Sequence, residues 1–186
     1  MGSIDGFCSS FNLNKVVQDN NISIFVETGC HLGNSLSHAI PMGFKTMYSC
    51  DIDQKYIDIC MNRFRNQDNI IIEHCTSVEF LTNLLPKLDS YETVLFFLDA
   101  HLPEQNAAVN VALPLEEELD IIWQHRKDKK DHIVVDDWRI YEENDFTGGN
   151  WNDRSQFGNP TLEFLNKYNY NIQKFLTHEG YLYLSK

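Results

Sequence analysis

Residues 22–136 alternate between short apolar runs and segments of helical periodicity, and that alternation admits few folds. The runs are 22–27, 46–51, 70–74, 93–99 and 132–136. Between them, 33–40, 54–64, 77–86 and 112–126 carry apolar residues three and four apart. A strand, a helix and a second strand join by a right-handed crossover, which makes the strands parallel. The run Val94-Leu95-Phe96-Phe97-Leu98 contains no polar residue, as a central strand covered on both faces requires. After residue 136 the pattern changes. Residues 141–160 are rich in Gly, Asn and Asp and read as a long loop. A helix is expected over 161–168, and two last strands over 170–177 and 180–185, joined at Glu179-Gly180. Residues 7–19 read as one amphipathic helix or lid, with Phe11, Leu13, Val16 and Val17 on its apolar face. The expectation is a single α/β domain over residues 1–186, Rossmann-like and doubly wound. Its seven-stranded sheet is mostly parallel with a closing antiparallel strand. Residues 1–20 would be the N-terminal helix or lid, and 141–160 the substrate loop.

Composition narrows the partners. A chain of 186 residues with 42% hydrophobic content supports one substantial core. Its formal charge of −12 repels phosphate backbones, which argues against nucleic acid as the main partner. The one basic cluster, Arg126-Lys127-Asp128-Lys129-Lys130, reads as a solvated helix end complementing the helix dipole. Glu116-Glu117-Glu118 likewise reads as a solvated helix face, with Glu117 as the member that could orient a ligand. Five cysteines without a C-x-x-C pair suit neither a disulfide framework nor a zinc ribbon. There is no apolar run of membrane length and no signal peptide, and Gly6 stands where a myristoylation signal wants Ser or Thr. A reduced, cytoplasmic setting away from membranes is the expectation.

The candidate site begins at Phe25-Val26-Glu27-Thr28-Gly29-Cys30-His31-Leu32-Gly33-Asn34-Ser35. An apolar strand ends in an acid and two glycines four apart, where open α/β sheets bind nucleotide-like ligands. The turn is neither G-x-G-x-x-G nor a P-loop, and an acid leading it suits a positively charged ligand better than a pyrophosphate. Other strands also end in acids: Asp51, Asp99 and the pair Asp136-Asp137. Asp51 is placed to accept hydrogen bonds from ribose hydroxyls, while Asp53 is the better N-cap for the next helix. Asp99, Asp136 and Asp137 offer hard oxygen ligands suited to Mg²⁺, Mn²⁺ or Ca²⁺. The alternative is that one of them caps and another pairs with Arg139.

Over residues 20–186 these motifs resemble the class I S-adenosylmethionine-dependent methyltransferases. Glu27 to Ser35 is similar to their glycine-rich first motif, Cys50-Asp51-Ile52-Asp53 to the acidic second, and Cys75-Thr76-Ser77 to the turn beside the adenine. Leu98-Asp99-Ala100-His101 and Val135-Asp136-Asp137-Trp138 resemble the metal-binding positions of the catechol and macrocin types of O-methyltransferase. The resemblance implies S-adenosyl-L-methionine as cofactor, contacted by Glu27, Gly29, His31, Gly33, Ser35, Asp51, Ile52, Ser77, Val78 and Asp99. It implies a divalent ion, Mg²⁺ or else Mn²⁺ or Ca²⁺, on Asp99, Asp136 and Asp137. Methyl transfer would go to a hydroxyl of a small-molecule acceptor such as a sugar or diol, with His101 as base beside Asp99 or, alternatively, as a fourth metal ligand or a partner behind the ligands. The catechol-type lysine is missing from Asp99-Ala100-His101-Leu102. Trp138, Arg139, Tyr141, Trp151 and Arg154 could wall the acceptor, although Trp138 fits a core position equally well. Little chain precedes the first strand, so cover for the site is expected from the 141–160 loop or from a second subunit in a homo-oligomer. Two other readings stand beside this one. One is a non-catalytic S-adenosylmethionine-binding module, the other a nucleotide-dependent oxidoreductase, which the absent G-x-G-x-x-G disfavours.

Overall fold

The apolar runs pair side by side in the computed structural model, which describes residues 4–88, 92–101 and 113–186. The strands are β1 (Ile24–Thr28), β2 (Thr46–Asp51), β3 (Ile70–His74), β4 (Val94–Leu98), β5 (His132–Val135), β6 (Asn171–Phe175) and β7 (Tyr181–Ser185). They form one seven-stranded sheet in the order β3-β2-β1-β4-β5-β7-β6. The first five are parallel, and β7 runs antiparallel to both β5 and β6. The chain winds outward from β1 to β3, crosses back to β4 beside β1, and winds outward again. The strand order therefore reverses between β1 and β4, and a crevice opens there beyond the carboxyl ends.

Helices cover both faces. On one lie α1 (Ile4–Cys8), α2 (Leu13–Asp19), α3 (Asn34–Ala39) and α4 (Gln54–Arg63); on the other lie α5 (Ser77–Leu84) and α6 (Leu115–Arg126). β4 serves both layers, sending Val94, Phe96 and Leu98 to the α5–α6 side and Leu95 and Phe97 to the other. That two-sided burial is why its sequence alternates with nothing polar.

Several local expectations change. Residues 7–19 form two short helices, because the Asn12 side chain accepts from Lys15 N and starts a new one. Ile4 and Phe7, ahead of the expected apolar face, are fully buried, and the Phe7 ring packs against Phe11, Phe175, Tyr181 and Tyr183. Residues 161–168 hold only a 3-10 turn, Glu163–Lys167. The expected start of α6 at residue 112 lies outside the described residues. The basic cluster is not solvated throughout. Arg126 is buried, its guanidinium donating to Asp131 (2.5 and 2.9 Å) and to Glu92 O (2.6 Å), while Asp131 also accepts from Val94 N. All five cysteines are free.

Candidate active site at the carboxyl edge of the sheet

The turn after β1 is built against its neighbours. Gly29 has φ +86°, and a Cβ there would stand 2.7 Å from the carbonyl oxygen of Asp99. Only glycine lets the turn lie this close to the end of β4. Gly29→Ala is accordingly expected to destabilise the fold by at least about 2 kcal/mol, read by denaturant titration; a change below about 0.5 kcal/mol would refute that packing role. Gly33 (φ +76°) has a different reason, since its Cβ would strike the Phe64 ring of α4 at 2.6 Å. It packs the turn against protein.

Four amides of this turn are already engaged. Gly29 N and Cys30 N both donate to Cys50 O (3.0 and 2.8 Å), Gly33 N donates to Cys30 O (2.7 Å), and His31 N donates to Asp51 Oδ2 (2.9 Å). A phosphate cradle needs such amides free. The His31 ring lies against Tyr56, and Ser35 Oγ accepts from Ile4 N at 3.2 Å.

Asp51 closes β2 with Oδ1 accepting from Asp53 N at 2.9 Å, so backbone amides orient both its oxygens. Asp53 is the N-cap of α4, its side chain accepting from Lys55 N. Glu27 is 1% exposed and accepts from Ser49 Oγ at 2.5 Å. Burial pushes its pKa up to about 8; hydroxyls of Ser49 and Ser35 pull down and the Asp51 charge pushes up. Ser77 is buried at the start of α5, just inside the Thr76–Glu79 capping box, and Val78 is half-buried. Ile52 is half-buried, and its carbonyl meets Nε2 of His74 at 2.9 Å.

Beyond β4 and β5 the acids gather around a histidine. Nε2 of His101 stands 3.2 Å from Asp137 Oδ2 and 3.6 Å from Asp99 Oδ1, yet neither approach has hydrogen-bond geometry. Burial would lower the His101 pKa, but the adjoining Asp137 carboxylate, with Asp136 and Glu118 behind it, raises it. Asp99 is raised well above the carboxylate range by burial and by the charges of Asp136, Asp137 and Glu27. Asp136 is pushed to about 8 by burial and by Asp137. Burial works against Asp137 too, but His101 and Arg139 hold its pKa low, and its backbone takes φ +56°. Arg139 Nε donates to Asp137 Oδ1 at 2.9 Å, so this acid is turned toward the arginine.

The donor types here suit a hard cation, but their arrangement is not a formed metal centre. Among the described residues, no three His, Cys, Asp or Glu side chains converge on a position for an ion. Asp137 is engaged by Arg139 through Oδ1 and lies 3.2 Å from His101 through Oδ2.

The expected acceptor wall is largely structural. Trp138 is fully buried, donating from Nε1 to Phe175 O (3.0 Å) and packing edge-on against Phe146. Tyr141 is also buried. Arg154 donates to the carbonyls of Ile140, Tyr141 and Pro160, and Arg139 to those of Gly148 and Gly149; the two arginines shape the 141–160 loop. Trp151, under the Arg139 guanidinium, is partly exposed. Leu102 lies outside the described residues. One acid was misjudged from sequence: Glu118 is 1% exposed while Glu116 and Glu117 are exposed. Its spacing held the signal, three residues after Leu115 and four before Ile122, on the buried face of α6.

Three buried side-chain polar atoms lack a hydrogen-bond partner among the described residues: His101 Nε2, Glu118 Oε1 and Asp136 Oδ2. All three belong to this edge. Orphaned buried atoms are costly and rare, and their grouping makes this edge the candidate site.

No family model and no curated protein matches the sequence. Solved structures resemble the chain in three dimensions. An O-methyltransferase from Bacillus cereus in complex with SAH matches with a TM-score of 0.60 at 17% identity, over 94% of this chain and 79% of that one. A candidate caffeoyl-CoA O-methyltransferase from Staphylococcus aureus gives 0.63 at 12% identity, over 94% and 81%. The chain has the methyltransferase fold. An rRNA methylase from Streptococcus thermophilus also matches, with a TM-score of 0.53 at 13% identity over 89% and 87%. The methyltransferase fold thus serves proteins named for different acceptors and does not by itself choose one. Among the described residues, no helix of this methyltransferase fold is long and apolar enough to cross a membrane.

Proposed function

We propose that this protein is an S-adenosylmethionine-dependent methyltransferase that acts on an oxygen of a small molecule. The observation that carries the reading is that the three orphaned buried atoms among the described residues group along the carboxyl edge of β1, β4 and β5, where the strand order reverses between β1 and β4. Glu27 would meet the ammonium of the cofactor, whose charge would relieve the burial of this acid. Asp51, oriented by two amides, keeps lone pairs for the ribose hydroxyls. The four engaged amides leave this turn fewer donors for a pyrophosphate, which counts against the oxidoreductase alternative. His101 and Asp99 stand on the β4 side of the same crevice. His101 would take the proton of the acceptor hydroxyl as the methyl group leaves sulfur for oxygen, and the site would supply alignment. The 141–160 loop would border the acceptor, with Trp151 as its partly exposed aromatic.

Calorimetry tests the cofactor. S-adenosylhomocysteine should bind, and Asp51→Ala should weaken it by about tenfold to a hundredfold. Binding of NAD in its place, or an unchanged dissociation constant in the variant, would refute the assignment. A divalent cation is a second reading, favoured by the unpartnered Oδ2 of Asp136 beside Asp99. Those two residues would hold it, and it would lower the acceptor hydroxyl's pKa. Under that reading, EDTA abolishes methyl transfer to a diol acceptor and Mg²⁺ restores it, whereas turnover indifferent to EDTA rejects it.

A further inference from the structure

Glu118 is the buried acid that no step of methyl transfer uses. It lies in the first turn of α6 with Oε1 unpartnered. Burial raises its pKa, and the hydroxyls of Ser77 and Thr28 draw it back down. These neighbours place it beneath the carboxyl end of β1, beside the first residue of α5. Side chains alternate across a strand, so Thr28 shares its face with Val26 on the α5–α6 side. Glu27 shares the opposite face with Phe25, and Asp51 with Met47. A ligand laid over the end of β1 therefore meets Glu27 and Asp51 on one side. On the other it meets Thr28, Ser77 and Glu118.

S-adenosylmethionine has three parts to place. With its ammonium at Glu27 and its ribose at Asp51, the base is what remains for the Glu118 side. An ionised carboxylate only accepts hydrogen bonds, and the exocyclic donor of adenine is its 6-amino group. We propose that Glu118 Oε1 accepts a hydrogen bond from that amine and so selects adenine over a 6-oxo purine. This assignment rests on the S-adenosylmethionine reading. It gives the unpartnered oxygen its missing donor, and a 6-oxo group would instead set two acceptors face to face.

The test compares S-adenosylhomocysteine with S-inosylhomocysteine by calorimetry. Wild type should bind the adenosyl compound about tenfold to a hundredfold more tightly. Glu118→Gln presents an amide donor to the 6-oxo group and should bring the ratio to about one or invert it. Glu118→Asp keeps the charge, withdraws the carboxylate by one methylene, and should also reduce the ratio, so it decides the matter if the glutamine variant fails to fold. The ligands differ only at the base, so a general loss of structure weakens both and leaves the ratio unchanged. Equal wild-type affinities, or a wild-type ratio in the substituted proteins, would overturn the role of Glu118 while leaving the cofactor reading intact. If wild type binds neither compound, the cofactor reading fails first and the role of Glu118 with it.

Discussion

Replacing Glu27 with glutamine is expected to stabilise the ligand-free protein at pH 8 while weakening its affinity for S-adenosylhomocysteine. Burial pushes the folded-state pKa of this acid from 4.5 to about 8. The folded protein therefore keeps a proton that the unfolded chain releases across that window. The associated stability is fully present below about pH 4.5 and is lost as pH rises through about 8. The loss is on the order of 4 kcal/mol at the upper end, at about 1.4 kcal/mol for each pKa unit. Glutamine keeps the shape and can still accept from Ser49, but it has no charge to desolvate. Its Tm should exceed that of wild type by about 10 °C at pH 8 and match it near pH 4.5. Binding should change the other way, because the ligand ammonium loses its counter-charge; a weakening of about a hundredfold is expected. Thermal scans from acid to pH 8, with calorimetry at pH 8, check both halves. Superimposable Tm profiles would show that Glu27 carries no desolvation penalty, and an unchanged dissociation constant would remove it from the cofactor site.

Asp131→Ala should have an effect of similar size, far from the crevice. Asp131 receives two hydrogen bonds from buried Arg126 and one from Val94 N at the start of β4. Truncating it leaves a buried guanidinium with the Glu92 carbonyl as its remaining partner, and strips the acceptor from a strand amide. The expected cost is about 3–5 kcal/mol in urea unfolding. The double replacement Arg126→Met with Asp131→Leu should recover the part owed to the unpaired charge, because both charges leave together, and should keep the cost of the Val94 amide left without its acceptor. A single-variant loss below about 1 kcal/mol would mean that water reaches the pair and pays its solvation. The pair anchors the end of α6 to β4, so the same substitution also tests how firmly the helix bearing Glu118 is held.

Arg126 shows where sequence reading stops. Among Lys127, Lys129 and Lys130 it looked like one more solvated cation, yet its burial depends on Glu92 and on the start of β4, more than thirty residues away in the chain. Glu118 is an intermediate case: helical spacing put it on the apolar face, but its charge argued for solvent. Trp138 was undecided between core and acceptor wall until Phe146 and the Phe175 carbonyl enclosed it. Phe7 gave no signal, because its ring partners lie on β6, β7 and the chain just after α1.

The strands, their helical crossovers and the acids that close them were determined by sequence alone. Apolar periodicity and turn chemistry act between residues close together in the chain, so they can be read from it. The continuous apolar run of β4 required a covered central strand, and the helical crossovers required parallel strands, while the strand order was read from the structure. Only the tertiary structure decided which acids are buried, which oxygen atoms among the described residues are left without partners, and that Asp137 lies between Arg139 and His101. Those outcomes depend on desolvation and on charges brought together from distant segments. A carboxylate's local sequence says little about either.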